Sequence, residues 1–298
     1  MAQTTPSSPI ETLSALGITV GVLALQGAFS EHIQLLREST TKREGNVDWT
    51  FIEVRTPEEL ERCDGLIIPG GESTTISLVA ARSGILDPLR EFVKVKRLPA
   101  WGTCAGLILL SESANTTSTK AGGQELIGGL DVLINRNHFG RQVESFSAEL
   151  DLPFLSSSNA GVEGTERKKF QSVFIRAPVV EKLLPHKAGA QEEGEGRVVA
   201  PSKSPADAKA EELISAEVEI MARLPGRAKA FAARKSEIGG LESDVTAEDV
   251  GEEGDIIAVR QGNVFGTSFH PELTGDGRIH VWWLGEVEKA TRRRRGAE

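Results

Sequence analysis

Strand-length apolar runs alternate with helical patterns through the first half of the chain. Ile18 to Leu25 is the first such run. Ser30 can cap a helix reaching about Glu38, with Ile33, Leu35 and Leu36 on its apolar side. Trp49 to Val54 is a second strand. Thr56-Pro57-Glu58-Glu59 then joins an N-cap, a proline at the first helical position and a capping-box glutamate. Gly65-Leu66-Ile67-Ile68 is a third strand, running into Pro69-Gly70-Gly71-Glu72-Ser73, and Thr74 to about Arg82 is helical again. A further helix covers about Pro88 to Lys96. Pro99-Ala100-Trp101 leads into Gly102-Thr103-Cys104-Ala105-Gly106, and the apolar Leu107 to Leu110 begin another helix. Strand, glycine-rich turn and helix in repetition predict a parallel sheet covered on both faces.

Beyond residue 120 the helical period fades. Val132-Leu133-Ile134, Val143 to Leu150, Ser172 to Ile175 and Glu217 to Met221 have strand patterns that predict a mixed sheet. Ile256 to Val259 and Val264 to Ser268 form a hairpin around Arg260-Gln261-Gly262-Asn263, and a closing helix spans about Gly277 to Arg292. Residues 179 to 255 interrupt this with a tract rich in Glu, Gly, Ala and Lys. Loops of that length are uncommon inside compact domains, so 188–210 and 227–254 are expected to be surface insertions, partly disordered or loosely helical. The expected organisation is a flexible leader at 1–17, one domain at 18–292 and a basic tail at 293–298.

Composition narrows the class. Lys and Arg number 34 against 43 Asp and Glu, giving a net charge of -9, which argues against a nucleic-acid binder. The run Arg292 to Arg295 is the exception, and its default reading is a solvated helix end. Two cysteines, Cys63 and Cys104, are too few for a disulfide scaffold and suit a reducing compartment. The first 17 residues lack the charged and apolar regions of a signal peptide, and no apolar stretch reaches the roughly 20 residues that cross a bilayer. These features predict a cytoplasmic protein that engages no membrane.

Three clusters carry candidate chemistry. Gly102-Thr103-Cys104-Ala105-Gly106, between strand and helix, has the form of a nucleophile elbow, with Cys104 exposed on a tight turn at a helix N-terminus that favours thiolate. The bland alternative for Cys104 is a buried structural thiol. Ser268-Phe269-His270-Pro271-Glu272 ends a strand with an acid/base candidate, His270, and a carboxylate, Glu272, to orient it; Pro271 fixes the chain between them. Alone, it is weak, since strand-end histidines are more often packed or solvated than catalytic. Pro69-Gly70-Gly71-Glu72-Ser73 sits where open α/β sheets place ligands, and the N–H groups of Gly71 and Ala105 suit an oxyanion hole. Its bland reading is a turn capped by Ser73. His32, beside Glu31 on the first helix, is expected to be partly exposed, and His138, His186 and His280 show no metal-ligand spacing with Cys63.

Taken in order, Gly21-Val22-Leu23-Ala24-Leu25-Gln26-Gly27-Ala28, Pro69-Gly70-Gly71-Glu72-Ser73-Thr74-Thr75, the Cys104 elbow, Arg136-Asn137-His138-Phe139-Gly140-Arg141-Gln142, Phe174-Ile175-Arg176-Ala177-Pro178 and Ser268-Phe269-His270-Pro271-Glu272-Leu273 closely resemble the glutaminase subunits of pyridoxal 5'-phosphate synthases, a branch of the class I glutamine amidotransferases. The resemblance covers about residues 18 to 178 and 255 to 290. It implies a flavodoxin-like three-layer α/β fold with a mixed, mainly parallel central sheet. It further implies hydrolysis of L-glutamine to glutamate and ammonia by a Cys104, His270 and Glu272 triad, with no cofactor. The ammonia would pass to a partner synthase subunit that condenses a pentose phosphate and a triose phosphate into vitamin B6. Gly71, Glu72, Ser73, Arg136, Ile175 and Arg176 are implied to surround the glutamine. The alternatives are a glutaminase of another pathway, such as histidine biosynthesis, or a catalytically silent partner-binding scaffold.

Overall fold

The computed structural model describes residues 15–41, 46–116, 124–136, 145–155, 168–224 and 254–296. The leader up to residue 14, nearly all of the 227–254 insertion, and the Arg136–Gln142 motif beyond Arg136 lie outside them.

The alternation in the first half becomes structure element by element. β1 (Leu16–Leu23) is followed by α1 (Phe29–Thr40), and β2 (Val47–Val54) by α2 (Pro57–Glu61). The capping box forms as its residues require: Thr56 Oγ1 accepts from the Glu59 N–H at 3.3 Å, and the Glu59 carboxylate accepts from the Thr56 N–H at 3.0 Å. β3 (Gly65–Ile68), α3 (Ser73–Arg82), and α4 (Leu86–Arg90) with a wide π turn at Glu91–Val95 come next, then β4 (Ala100–Thr103) and α5 (Ala105–Leu110). The second half supplies β5 (Ser111–Asn115), β6 (Leu130–Asn135), β7 (Ser145–Leu150), β8 (Phe170–Ile175), β9 (Val179–Leu183) and β10 (Arg197–Val199). After α6 (Ala208–Ile214) come β11 (Glu219–Leu224), β12 (Asp255–Gln261), β13 (Val264–Thr267) and α7 (Arg278–Arg295).

One mixed sheet runs β10-β5-β6-β9-β12-β13-β4-β3-β1-β2, with β11 pairing β12, while β7 and β8 form a separate antiparallel pair. From β2 through β1, β3 and β4 to β13 all pairings are parallel. Their carboxyl ends therefore emerge on one edge, side by side, where open α/β sheets hold ligands. β3 and β4 are buried throughout, as strands covered on both faces must be. The period of two divides their side chains between layers. Leu66 and Ile68 pack with Ile76, Leu89, Leu107 and Leu110 on the α3, α4 and α5 side. Ile67 and Trp101 pack with Ile33, Leu36, Trp283 and Val287 on the α1 and α7 side. Each such buried side chain contributes roughly 1.5–3 kcal/mol relative to exposure. The result is a three-layer α/β fold.

Several expectations are corrected. The helix after Cys104 is only six residues long, and Ser111 to Asn115, expected to continue it, form a strand because Ser111 turns extended and pairs with Leu130. The tract 188–210 is not simply a loose insertion: β10 within it pairs antiparallel with β5, Ala200 is 1% exposed, and the Pro201 carbonyl accepts from the buried Lys94 at 2.8 Å. Lys94 also pairs with the buried Glu112 at 2.8 Å. The strand expected at 217–221 lies at Glu219–Leu224. The closing helix continues to Arg295 instead of ending at Arg292, since Arg294 and Arg295 both pair with Asp64, the latter at 2.7 Å, and Arg295 donates to the Gly17 carbonyl at 2.8 Å. The arginine run therefore ties α7 to the start of the sheet. Among the described residues no helix is long and apolar enough to cross a membrane.

Candidate active site

β4 ends at Thr103 and α5 begins at Ala105, so Cys104 makes the whole turn between them. Its backbone is at φ 48° and ψ -101°, a conformation that L residues adopt only under constraint. The constraint is local: the Cys104 N–H donates to the Thr267 carbonyl of β13 at 2.8 Å, and Cβ atoms on Gly102 or Gly106 would collide with the Gly106 and Ile68 backbone respectively. The elbow closes only because those two positions are glycine. Cys104 is 6% exposed, and its Sγ lies 3.9 Å from the Ile175 carbonyl oxygen at the end of β8.

β13 ends beside β4, which brings His270 to Cys104. Its N–H donates to the Val173 carbonyl of β8 at 2.8 Å, and Pro271 opens a single 3-10 turn, Pro271–Leu273, that folds Glu272 back under the ring. Nδ1 of His270 is 2.7 Å from Oε1 of Glu272, and the ring lies close enough to Cys104 for the two groups to influence each other's charge. Burial opposes charge on this imidazole. The neighbouring Cys104, and the hydrogen bond and negative charge of Glu272, outweigh it and push the pKa up to about 10. Gly70 lies flat against the same ring, where any Cβ would strike it.

The Pro69–Ser73 loop leaves β3 on the same edge. Gly71 is exposed and rests on the Gln26 side chain, and the Gln26 Oε1 accepts from the Glu72 N–H at 2.8 Å. The cap of α3 is Glu72, in place of Ser73: its carboxylate accepts from the Thr74 and Thr75 N–H groups at 3.0 and 2.7 Å and from Thr75 Oγ1 at 2.6 Å. Burial raises the pKa of Glu72, and those hydrogen bonds more than offset it, so the net shift is downward. Ser73 turns inward and donates to Gln124 Oε1 at 3.0 Å. At the end of β6, Arg136 feels the charge of Glu72, while burial pushes its guanidinium down to about 10. Its Nε and Nη2 are buried without a hydrogen-bond partner among the described residues. Arg176, after Ile175, adopts φ 44°. The structure thus gathers Cys104, His270, Glu272, Gly70 and the Ile175 carbonyl directly, with Glu72 on the adjoining loop, Arg136 near enough to feel its charge, and Ala105 opening the helix that starts at the elbow.

Residues outside the expected set also converge here. His32, expected to be partly exposed, has no exposed area, and its Nε2 is 3.4 Å from Oε2 of Glu272. The signal was present in the helical period: His32, Leu36 and Ser39 share one face of α1 and all are buried. Gln26 and Gln124, each in contact with the Gly70–Ser73 loop, carried no such signal.

Comparison with known proteins identifies the family. The model of the SNO glutamine amidotransferase family matches residues 22–208 and 230–289. A probable pyridoxal 5'-phosphate synthase subunit PDX2 of Arabidopsis thaliana is 38% identical over 267 residues, covering 90% of this chain and 85% of the relative. The pyridoxal 5'-phosphate synthase subunit PdxT of Streptomyces coelicolor is 38% identical over 261 residues, covering 88% and 89%. A solved glutamine amidotransferase structure superposes with a TM-score of 0.55 at 34% identity, covering 90% of this chain and 98% of that one. With its elbow, its strand-end histidine and carboxylate, and matches of this extent, the chain belongs to the SNO glutamine amidotransferase family.

Proposed function

We propose that this amidotransferase hydrolyses L-glutamine to glutamate and ammonia and delivers the ammonia to a pyridoxal 5'-phosphate synthase subunit in the cytoplasm. What supports the chemistry most is the His270 ring, hydrogen-bonded to Glu272 and favoured as imidazolium by Glu272 and the neighbouring Cys104. In this reading the Cys104 thiolate attacks the carboxamide carbon. The C=O π pair moves onto oxygen, which the N–H groups of Gly71 and Ala105 receive. As the tetrahedral centre collapses, the C–N bond breaks, His270 protonates the departing nitrogen, and a thioester remains on Cys104. Water then gives a proton to His270 and attacks the thioester. The C–S bond breaks, glutamate leaves, and the thiolate is restored beside its imidazolium.

The substrate is zwitterionic at its far end, which suits the two charges at the rim. Arg136 has buried donors free for a carboxylate, with Arg176 near the elbow through Ile175. Glu72 accepts three hydrogen bonds, and a carboxylate has room for about four, so one site is left for the substrate ammonium. The Ile175 carbonyl and the inward-turned Ser73 complete the proposed substrate contacts.

The pairing with a synthase rests on the relatives, which are named as subunits of pyridoxal 5'-phosphate synthase. Purifying the chain from its own cells and identifying its stoichiometric partner by mass spectrometry tests it. A pyridoxal 5'-phosphate synthase subunit is expected; a synthase of another pathway in its place would overturn the assignment. The single domain proposed here, from β1 to α7, carries all of the site.

A further inference from the structure

Behind the carboxylate of Glu272 lies a second imidazole that the mechanism above leaves without a task. His32 on α1 and His280 on α7 are both fully buried, with His32 Nδ1 2.9 Å from His280 Nε2. Nε2 of His32 is 3.4 Å from Oε2 of Glu272 and 3.4 Å from Oγ1 of Thr103, the residue before the nucleophile. Burial keeps both rings uncharged. It lowers His32 well below the ordinary range, with His280 and His270 acting in the same direction, and it pushes His280 down to about 3 against the opposing charge of Asp276.

A neutral imidazole has one donor and one acceptor nitrogen, so the pair's protons can be assigned. Nδ1 of His280 is buried with no partner among the described residues, and a bare lone pair there is less unfavourable than an orphaned N–H. The His280 proton therefore sits on Nε2 and is donated to Nδ1 of His32. The proton of His32 is then on Nε2, facing Glu272. There it meets Oε2, the carboxylate oxygen without a hydrogen-bond partner among the described residues, while Oε1 is held by His270.

We infer that His32 is a positioning residue of the glutaminase reaction, whose Nε2–H holds the second oxygen of Glu272 so that the first stays on His270. The inference rests on the Cys104, His270 and Glu272 reading. Oε2 otherwise has no restraint, and a carboxylate anchored through one oxygen can turn about its last bond and leave Nδ1. A cationic residue in the place of His32 would compete with His270 for the carboxylate's charge. A neutral donor orients it without that competition. The separation of 3.4 Å is long for a hydrogen bond, and catalytic hydrogen bonds commonly shorten when substrate arrives.

Two amide substitutions separate this role from a packing role. In H32Q the amide nitrogen reaches the place of Nε2, whereas in H32N the shorter amide places its oxygen where Nδ1 was, accepts there from His280 Nε2–H, and has no donor that reaches Glu272. The full chain is treated with iodoacetamide near pH 6.5, with the Cys104→Ala variant as blank, and melting is followed in parallel. Alkylation of Cys104 then reports the thiolate that His270 keeps beside it. H32N is expected to react about tenfold more slowly than the parent, and H32Q to recover most of the rate. Equal rates in H32N and the parent, or equal slowing in H32N and H32Q, would overturn the inference, because a packing residue treats both amides alike. If H32N does not fold, H32L takes its place with the same expected loss. Should the parent react no faster than His270→Ala, the triad reading itself fails and the inference falls with it.

Discussion

Oε1 of Glu272 lies 2.7 Å from Nδ1 of His270, two residues earlier in the chain, and the side chains are 0% and 9% exposed. So short a loop holds this geometry because Pro271 opens a 3-10 turn immediately after the strand-end histidine. The contact assigns the ring proton to Nδ1 and leaves Nε2 for the thiol.

Removing the carboxylate should therefore damage turnover more than binding. Glu272→Ala is expected to lower kcat on the order of 10²-fold with KM nearly unchanged, since the substrate contacts lie elsewhere. Steady-state kinetics of the complex with its synthase partner would check this, and a rise in KM alone would contradict the assignment.

The raised pKa of His270 has a consequence for stability. The folded protein holds its proton up to about pH 10, against about 6.5 for an unfolded chain. The stabilisation is thus complete below about pH 6.5 and is lost as pH rises through about 10. Melting curves of the parent and His270→Gln, recorded from about pH 6 to 10, should converge at the alkaline end. A gap that stays constant over that range would show that the imidazolium is not specially favoured.

The two thiols should behave differently. Burial pushes Cys63 up to about 12, with the charge of Asp64 adding to it, and the thiol donates to the Glu59 carbonyl at 3.4 Å. Near neutral pH one equivalent of iodoacetamide should label Cys104 alone, and Cys63→Ala should retain glutaminase activity. Peptide mapping that finds Cys63 labelled as fast as Cys104 would refute this.

The tract 188–210 should matter to stability although it lies far from the catalytic residues in sequence. Replacing it with a short Gly/Ser linker removes β10 from the sheet edge, uncovers Ala114 and takes away the Pro201 carbonyl that accepts from Lys94. A fall in Tm of about 5–10 °C is expected, with little change in KM for glutamine. An unchanged Tm would mean that the tract is the free insertion its composition suggests.

Much of this architecture is legible in the sequence because the parallel strands are short, fully buried and followed at once by glycine-rich turns. β3 and β4 have few other readings. What stayed hidden depends on partners distant in sequence. β10 has three residues, too few for a side-chain pattern, and exists because β5 offers an unpaired edge. β5 follows α5 without a break, so its apolar neighbours read as more helix. The sequence places the cap of α3 at Ser73, and the turn geometry selects Glu72 instead, whose carboxylate is also an acceptor. The burial of His32 depends on α7 closing over α1, a contact between the two ends of the chain that no local window contains.

The most direct test of the account is ammonia release from glutamine by the complex with the synthase partner, compared between the parent chain and Cys104→Ala at matched melting temperatures. The account predicts that the variant folds, still binds its partner, and releases ammonia no faster than the synthase alone. Release by Cys104→Ala at an appreciable fraction of the parent rate would contradict it, since no other described thiol lies beside His270.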